Sequence, residues 1–246
     1  MFAEERRKTI LSVLTESGRV EVGSLATRFE VSEDTIRRDL RELAATGFLQ
    51  KTHGGAVSLD VPNLEWEARA HIQPAAKTRI GAAAAALVEP GQTVILDAGH
   101  TVLELAKHLG ARPLRVITNS LEIANVMANQ PQTNLILTGG DWIPGDRYFS
   151  GEQTVRALAA YRADWTFLGT CAVHPQGGVT VRNADDAVVK RAMLASGLRS
   201  VLVADHSKFG QLATHLVAPI QALHAVVSDE PSDWIAQAGV QVILAR

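Results

Sequence analysis

The chain has 246 residues, of which 46% are hydrophobic and 20% charged, with a formal net charge of −2; that is the balance of an ordinary globular protein with room for one or two cores. Its one cysteine, Cys171, excludes an intrachain disulfide and fits a reducing compartment. The charged start MFAEERRKTI reads as no secretory leader, and the longest apolar run, Ile80 to Val88, is too short to span a bilayer, so a cytoplasmic location and no membrane partner are expected.

Ile10, Val13 and Leu14 form the apolar side of a first helix, and Leu25, Ala26 and Phe29 that of a second. A tight turn, Glu30-Val31-Ser32, follows, with Val31 placed to plug the joint. The next stretch, SEDTIRRDLREL (Ser32 to Leu43), opens with an N-cap serine and two acids, which the helix dipole favours at that end. Ile36, Leu40 and Leu43 recur at helical spacing as a buried stripe, leaving Asp34, Arg37, Arg38 and Arg41 on the outer face. Three guanidinium groups on an anchored helix suit the DNA major groove, where arginine bonds phosphates or forks onto guanine. Phe48 to His53 reads as a strand, Gly54-Gly55 as a hairpin turn and Ala56 to Leu59 as the return strand, a wing carrying Lys51 and His53. Residues 1–58 carry nine basic and nine acidic side chains, so DNA binding would rest on local segregation of Arg37, Arg38, Arg41 and Lys51, with Arg6 and Arg7 as further candidates.

The segment VSEDTIRRDLRELAATGFLQKTHGGAV resembles the N-terminal signature of the DeoR family of bacterial transcription regulators, most closely in TIRRDL (Thr35 to Leu40) and HGGA (His53 to Ala56). Lys51 stands where that family more often carries arginine, which keeps the charge and loses the bidentate fork. The resemblance implies operator double-stranded DNA as a partner, contacts from Thr35, Arg37, Arg38, Arg41, Lys51 and His53, and a homodimer or homotetramer.

Residues 60–74 lack steady periodicity and read as a linker between a domain at 1–59 and one at 75–246. An alanine-rich helix (Ala75 to Val88) leads into apolar runs at Thr93–Leu96, Leu114–Ile117, Asn134–Leu137, Trp165–Leu168, Ser200–Ala204, Ala225–Val227 and Val240–Leu244. Helical segments fill most gaps, which predicts an α/β domain with a mainly parallel sheet behind an all-α winged helix-turn-helix with a small β-wing. The residues after these strands are small and polar: Asp97-Ala98-Gly99-His100-Thr101, Thr118-Asn119-Ser120, Thr138-Gly139-Gly140, Gly169-Thr170-Cys171 and Asp205-His206-Ser207-Lys208. Such residues are the usual turn formers taken one loop at a time. Gathered at the carboxyl edge of one sheet they suit a phosphorylated, hydroxyl-rich small molecule, because ligand crevices lie there.

The C-terminal part resembles the DeoR sensor domain, whose fold is similar to ribose-5-phosphate isomerase and coenzyme A transferase-like proteins. By that resemblance Lys77 and Gly99-His100-Thr101 stand where the isomerases hold the sugar phosphate, with His100 in place of the usual Ser or Thr and able to donate to a phosphate. Asp205 to Gly210 (DHSKFG) matches the family's D-x-S-K motif. The implied effector set is Lys77, Asp97, Gly99, His100, Thr101, Asn119, Ser120, Gly139, Gly140, Gly169, Asp205, Ser207 and Lys208. Where the isomerases carry catalytic acids this chain has Leu168 and Cys171, and Gln176 replaces a lysine; Asp185 and Asp186 remain as candidate bases for an aldose–ketose isomerisation, but sit near a helix start, where acids serve as capping charges. No metal-ligand spacing, nucleotide fingerprint or cofactor motif is present, and Cys171 reads as a small core residue. The expectation is a repressor of a sugar or polyol catabolic operon, released by a phosphorylated sugar or polyol, with no catalytic residues.

Overall fold

The structure, a computed structural model, describes residues 2–17, 19–45, 49–52, 54–58 and 66–246. Its contacts divide into two units, Met1–Leu64 with His71–Gln73, and Glu65–Ala70 with Pro74–Arg246.

The first unit runs α1 (Ala3–Ser17), β1 (Arg19–Glu21), α2 (Val22–Phe29), α3 (Glu33–Ala45), β2 (Leu49–Thr52) and β3 (Gly55–Ser58). Ile10 and Leu14 of α1, Val22 with Leu25 and Ala26 of α2, and Ile36, Leu40 and Leu43 of α3 stand three or four residues apart and meet in one core with Leu49 and Ala56. The joint between α2 and α3 is tight because Glu30 turns left-handed (φ 54) and the Val31 N–H donates to the Ala26 carbonyl at 3.1 Å. Val31 packs on the core behind it. Ser32 caps α3, its Oγ accepting the Thr35 N–H at 3.2 Å.

The wing differs from the sequence reading. It has three antiparallel strands in the order β1–β3–β2; three residues with only Val20 buried leave β1 too short for a periodic signal. Gly55 is a strand residue paired with Thr52 and Glu21, not part of the turn, and a Cβ there would collide with the Val20 carbonyl. Phe48, His53 and Leu59 lie outside the described residues.

The second unit runs α4 (Trp66–Ala70), α5 (Pro74–Ala85), β4 (Thr93–Leu96), α6 (His100–Leu109), β5 (Leu114–Thr118), α7 (Leu121–Met127), β6 (Thr133–Leu137), β7 (Asp141–Ile143), β8 (Tyr148–Ser150), α8 (Glu152–Ala159), β9 (Ala163–Leu168), β10 (Ala172–His174), β11 (Gly178–Val181), α9 (Ala184–Ser196), β12 (Gly197–Val203), β13 (His215–Ala218), β14 (Ala225–Ser228), α10 (Asp233–Gln237) and β15 (Gln241–Leu244). Seven strands form a parallel sheet in the order β15–β14–β12–β9–β4–β5–β6. Each of the seven apolar runs found in the sequence becomes one of them.

Alternate residues face opposite layers, as the two-residue period requires. Val94, Leu96, Val116, Phe167, Val201 and Val203 pack under α5, α6 and α7 through Ile80, Leu105 and Ile123. Ile95, Ile117, Leu168, Leu202 and Val226 pack under α8, α9 and α10 through Leu158, Val189 and Ile235. Beside them lies the antiparallel sheet β10–β11–β13, contributing Val173, Val179 and Val217. The alanine-rich α5 presses on α6 as well as on the sheet, since a Cβ on Gly81 would lie 2.6 Å from the Leu105 amide nitrogen.

Chain order reverses at β4, with β5 and β6 on one side and β9, β12, β14 and β15 on the other. The switch point, where open α/β sheets place their ligand crevice, therefore lies between β4 and β9. The sequence reading missed the short antiparallel strands, and it missed α4, which lies inside the stretch read as a linker. No described helix is long and apolar enough to cross a membrane.

Candidate functional site

In the first unit, Arg37, Arg38 and Arg41 are exposed on α3, and Lys51 is exposed on β2. Arg37 is held by Glu33 at 2.5 Å and Asp34 at 2.9 Å, and Arg38 by Glu42 at 3.5 Å. Exposed pairs of this kind contribute on the order of 0–1 kcal/mol, so they orient the guanidinium groups without consuming them. The Arg41 Nε donates to the Arg37 carbonyl at 3.2 Å, and the Thr35 hydroxyl meets Ser32 Oγ at 2.9 Å. Arg6 does not share this face. It is buried in an ion pair with Asp39 at 2.6 Å that ties α1 to α3, and Arg7 pairs with Glu42. His53 lies outside the described residues.

In the second unit, the carboxyl edge of the sheet gathers most of the expected polar residues. Asp97, after β4, spans the switch point: its Oδ2 accepts the Gly169 N–H at 2.9 Å and the Lys190 ammonium. A Cβ at Gly169 would stand 3.3 Å from the Ala98 carbonyl oxygen, a tight fit. Lys190 also pairs with Asp186 at 3.3 Å. Burial pushes the Asp186 carboxyl up to about 6 even with Lys190 beside it. Burial opposes the charge on Lys190, but Asp186 and Asp97 together hold its ammonium above its ordinary value. Asp186 is thus a half-buried partner of the buried Lys190, not simply a capping charge.

Asp205, after β12, caps a 3-10 turn at His206–Lys208, its Oδ1 taking the Ser207 N–H at 3.2 Å and the Ser207 hydroxyl. Burial lowers the pKa of Lys208 against the pull of Asp205, with Arg69 and Arg182 lowering it further. Burial likewise takes Lys77 down to about 8, opposed by Asp205 and assisted by Lys208 and Arg69. Arg69 and Arg182 both reach Asp146, at 2.6 and 3.0 Å. Four cations thus share a field with the carboxylates of Asp205 and Asp146. Three buried acceptors along this edge, Asp97 Oδ1, Asn119 Oδ1 and Asp205 Oδ2, have no hydrogen-bond partner among the described residues.

His100 differs from the expectation. Its Nε2 lies 2.8 Å from the Trp66 carbonyl, which only accepts, so Nε2 carries the hydrogen. Burial takes its pKa down to about 4 despite that bond. At neutral pH the ring is uncharged, its Nδ1 is an acceptor, and its one donor, Nε2–H, is engaged by the Trp66 carbonyl. Gly99 (φ 133), His100 and Thr101 form the start of α6, whose first-turn N–H groups are the donors there.

Other expected residues have local work in the fold. Ser120 caps α7 through the Ile123 N–H at 3.4 Å, and Asn119 Nδ2 donates to the Phe149 carbonyl at 3.0 Å. Gly139 and Gly140 have φ of 64 and 116 and lie against α8, where Thr154 Oγ1 donates to the Gly139 carbonyl at 2.7 Å. Leu168 is buried in the core and Cys171 packs against it, half-buried. Sequence reasoning missed Trp66, Arg69, Asp146, Arg182 and Lys190. The i,i+4 spacing of Asp186 and Lys190 signals a pair, yet nothing in the sequence signals its burial. Among the described residues no cluster of His, Cys, Asp and Glu is arranged to hold a metal.

Two family models match the chain. One, a DeoR-like helix-turn-helix domain, covers residues 6–61, and the other, a DeoR C terminal sensor domain, covers residues 72–230. The HTH-type transcriptional repressor GlcR of Bacillus subtilis is 32% identical, over 93% of this chain and 89% of its own length. The glycerol-3-phosphate regulon repressor of Escherichia coli is 32% identical, over 94% of this chain and 92% of its own. The transcriptional repressor AccR of Agrobacterium fabrum is 33% identical, over 92% and 89%. Among solved structures, ribose 5-phosphate isomerase A of Methanocaldococcus jannaschii overlaps 55% of each chain at a TM-score of 0.40 and 17% identity. The Pyrococcus horikoshii translation initiation factor eIF-2B overlaps 91% of this chain and 86% of its own at 0.47 and 13%.

Proposed function

The chain belongs to the DeoR family of helix-turn-helix transcriptional repressors, and from that premise we propose that it represses an operon for sugar or polyol catabolism and leaves its operator when a phosphorylated sugar or polyol binds the C-terminal unit. The observation that carries the effector class is the sheet edge beside the switch point. Lys77 and Lys208, each with its ammonium held down by burial and each facing Asp205, are the cations that an incoming phosphate monoester dianion would relieve. Asp97, Asn119 and Asp205 add buried acceptors that hydroxyl groups satisfy. Phosphate oxygens are assigned to Lys77, Lys208 and the first turn of α6 at Gly99 and Thr101, and hydroxyls to Asp97, Asn119 and Asp205. The neutral His100 is assigned an acceptor role toward a hydroxyl.

On the DNA side, Arg37, Arg38 and Arg41 are assigned to bases or phosphates, and Thr35, Lys51 and His53 to the backbone. Relatives named as repressors, one of them of a glycerol-3-phosphate regulon, support this reading. A homodimer or homotetramer is proposed, since one small module with a neutral charge balance gains affinity by spanning repeated half-sites. Effector acts by binding one conformational population better than the other.

The test is fluorescence anisotropy on DNA from upstream of the gene and its neighbouring operon, across a salt series, with a panel of phosphorylated sugars and polyols. Salt-sensitive binding lost with one phosphate ester is the expected result. Tight binding indifferent to every phosphate ester would sink the effector assignment.

A further inference from the structure

The short helix α4 makes four contacts inside the candidate effector site of its own unit. The Trp66 carbonyl takes the His100 Nε2–H at 2.8 Å, and the Trp66 ring centroid lies 3.9 Å from that of the imidazole. The Arg69 carbonyl takes the Lys77 ammonium at 2.5 Å, and the Arg69 guanidinium is tied to Asp146 at 2.6 Å. Trp66 itself is buried. Two of these contacts come from backbone carbonyls, the negative ends of peptide dipoles, each set on a donor in the neighbourhood that an anionic ligand would claim. A phosphate oxygen brought to Lys77 meets the Arg69 carbonyl at short range in a desolvated setting, where like partial charges repel strongly.

We propose that α4 is a strap that stands in the effector site in place of the ligand's anionic group, so that anion binding and strap docking exclude one another. This rests on the effector reading above. In chain order α4 is the first described element after the wing strand β3. Docking or release of the strap therefore acts on the stretch of chain that follows the DNA-binding module in sequence. The strap also sets effector affinity: the apparent dissociation constant is the intrinsic one divided by the fraction of molecules whose strap is released.

The experiment is calorimetric titration of inorganic phosphate into the full-length protein, its Trp66→Ala variant and its Lys77→Ala variant. Trp66→Ala removes the ring contact with His100 that holds the strap and changes no charge. It is expected to bind phosphate roughly tenfold more tightly, as the released fraction rises, while Lys77→Ala binds at least about tenfold more weakly. Weaker or unchanged binding in Trp66→Ala, with Lys77→Ala impaired, overturns the strap and leaves the effector reading standing. Normal binding in Lys77→Ala overturns both. Should Trp66→Ala fail to fold, hydrogen exchange on the wild-type chain decides. Amides of residues 67–70 exchange faster in saturating phosphate if the strap is expelled, and unchanged or slower exchange overturns it.

Discussion

Replacing Lys77 by methionine should make the sensor unit more stable and less able to bind an anion. Lys77 is 6% exposed, and burial first, with Lys208 and Arg69 adding to it against Asp205, lowers its pKa from 10.5 to about 8. The difference corresponds to about 3 kcal/mol of cost for carrying the charge in the folded state at neutral pH. The unfolded chain holds this proton more tightly, so wild-type stability rises with pH between about 8 and 10.5, and the full cost is present below about 8. Methionine keeps the stem and removes the charge, but it also removes the donor to the Arg69 carbonyl, a loss of about 1–2 kcal/mol. The net gain at pH 7 is about 1–2 kcal/mol, or roughly 2–8 °C in the melting temperature of a unit this size. Urea and thermal unfolding of both proteins at pH 7, 8, 9 and 10 measure it, and the advantage of the variant should vanish as the wild type loses its proton. A variant less stable at pH 7, or a difference that does not change with pH, would refute the reasoning. A stabilised protein that has lost phosphate binding would identify Lys77 as a residue kept for function at a cost in stability.

Lys190→Met leaves the buried Asp97 and the half-buried Asp186 without their cation and should destabilise by about 3–5 kcal/mol at pH 7. Part of that loss returns as the pH falls, because Asp186, already at about 6 with Lys190 beside it, is pushed higher without that cation and takes a proton; denaturant titrations at pH 7 and pH 5 read both effects. Arg38→Ala gives up a guanidinium that is 79% exposed and only loosely paired. It should lower operator affinity by about 1–3 kcal/mol, or flatten the salt dependence by about one unit of slope if Arg38 meets a phosphate, with phosphate binding unchanged; anisotropy across a salt series checks it. Lys208→Ala should bind operator DNA like the wild type yet stay bound at effector concentrations that release the wild type, because its charge acts only in the sensor unit; normal release would show that Lys208 lies outside the effector site.

The seven strands of the parallel sheet were legible in the sequence because a strand covered on both faces must be apolar along its length, as Val94-Ile95-Leu96 and Val201-Leu202-Val203 are. The recognition helix was legible because Ser32, Ile36, Leu40 and Leu43 encode its cap and its buried stripe at a spacing that only a helix satisfies. Strands of three residues, such as β1 or β7, span too little chain to carry a period, and their pairing is settled by neighbours far along the sequence.

Charge was harder to read than hydrophobicity. Arg6 looks in sequence like one more surface cation, yet it is buried against Asp39, thirty-three positions away. His100 looks like a donor for phosphate, but the Trp66 carbonyl fixes its tautomer and burial keeps it neutral. Local sequence by itself determined the elements, the polar turns after the strands and the family signature, since caps, periodicity and turn chemistry act over a few residues. Only the tertiary structure decided which cations stay exposed, that Lys190 sits between Asp97 and Asp186, and that Trp66 and Arg69 reach the neighbourhood of Lys77 and His100. Those outcomes depend on desolvation and on partners distant in the chain, and neither quantity is carried by any short stretch of residues.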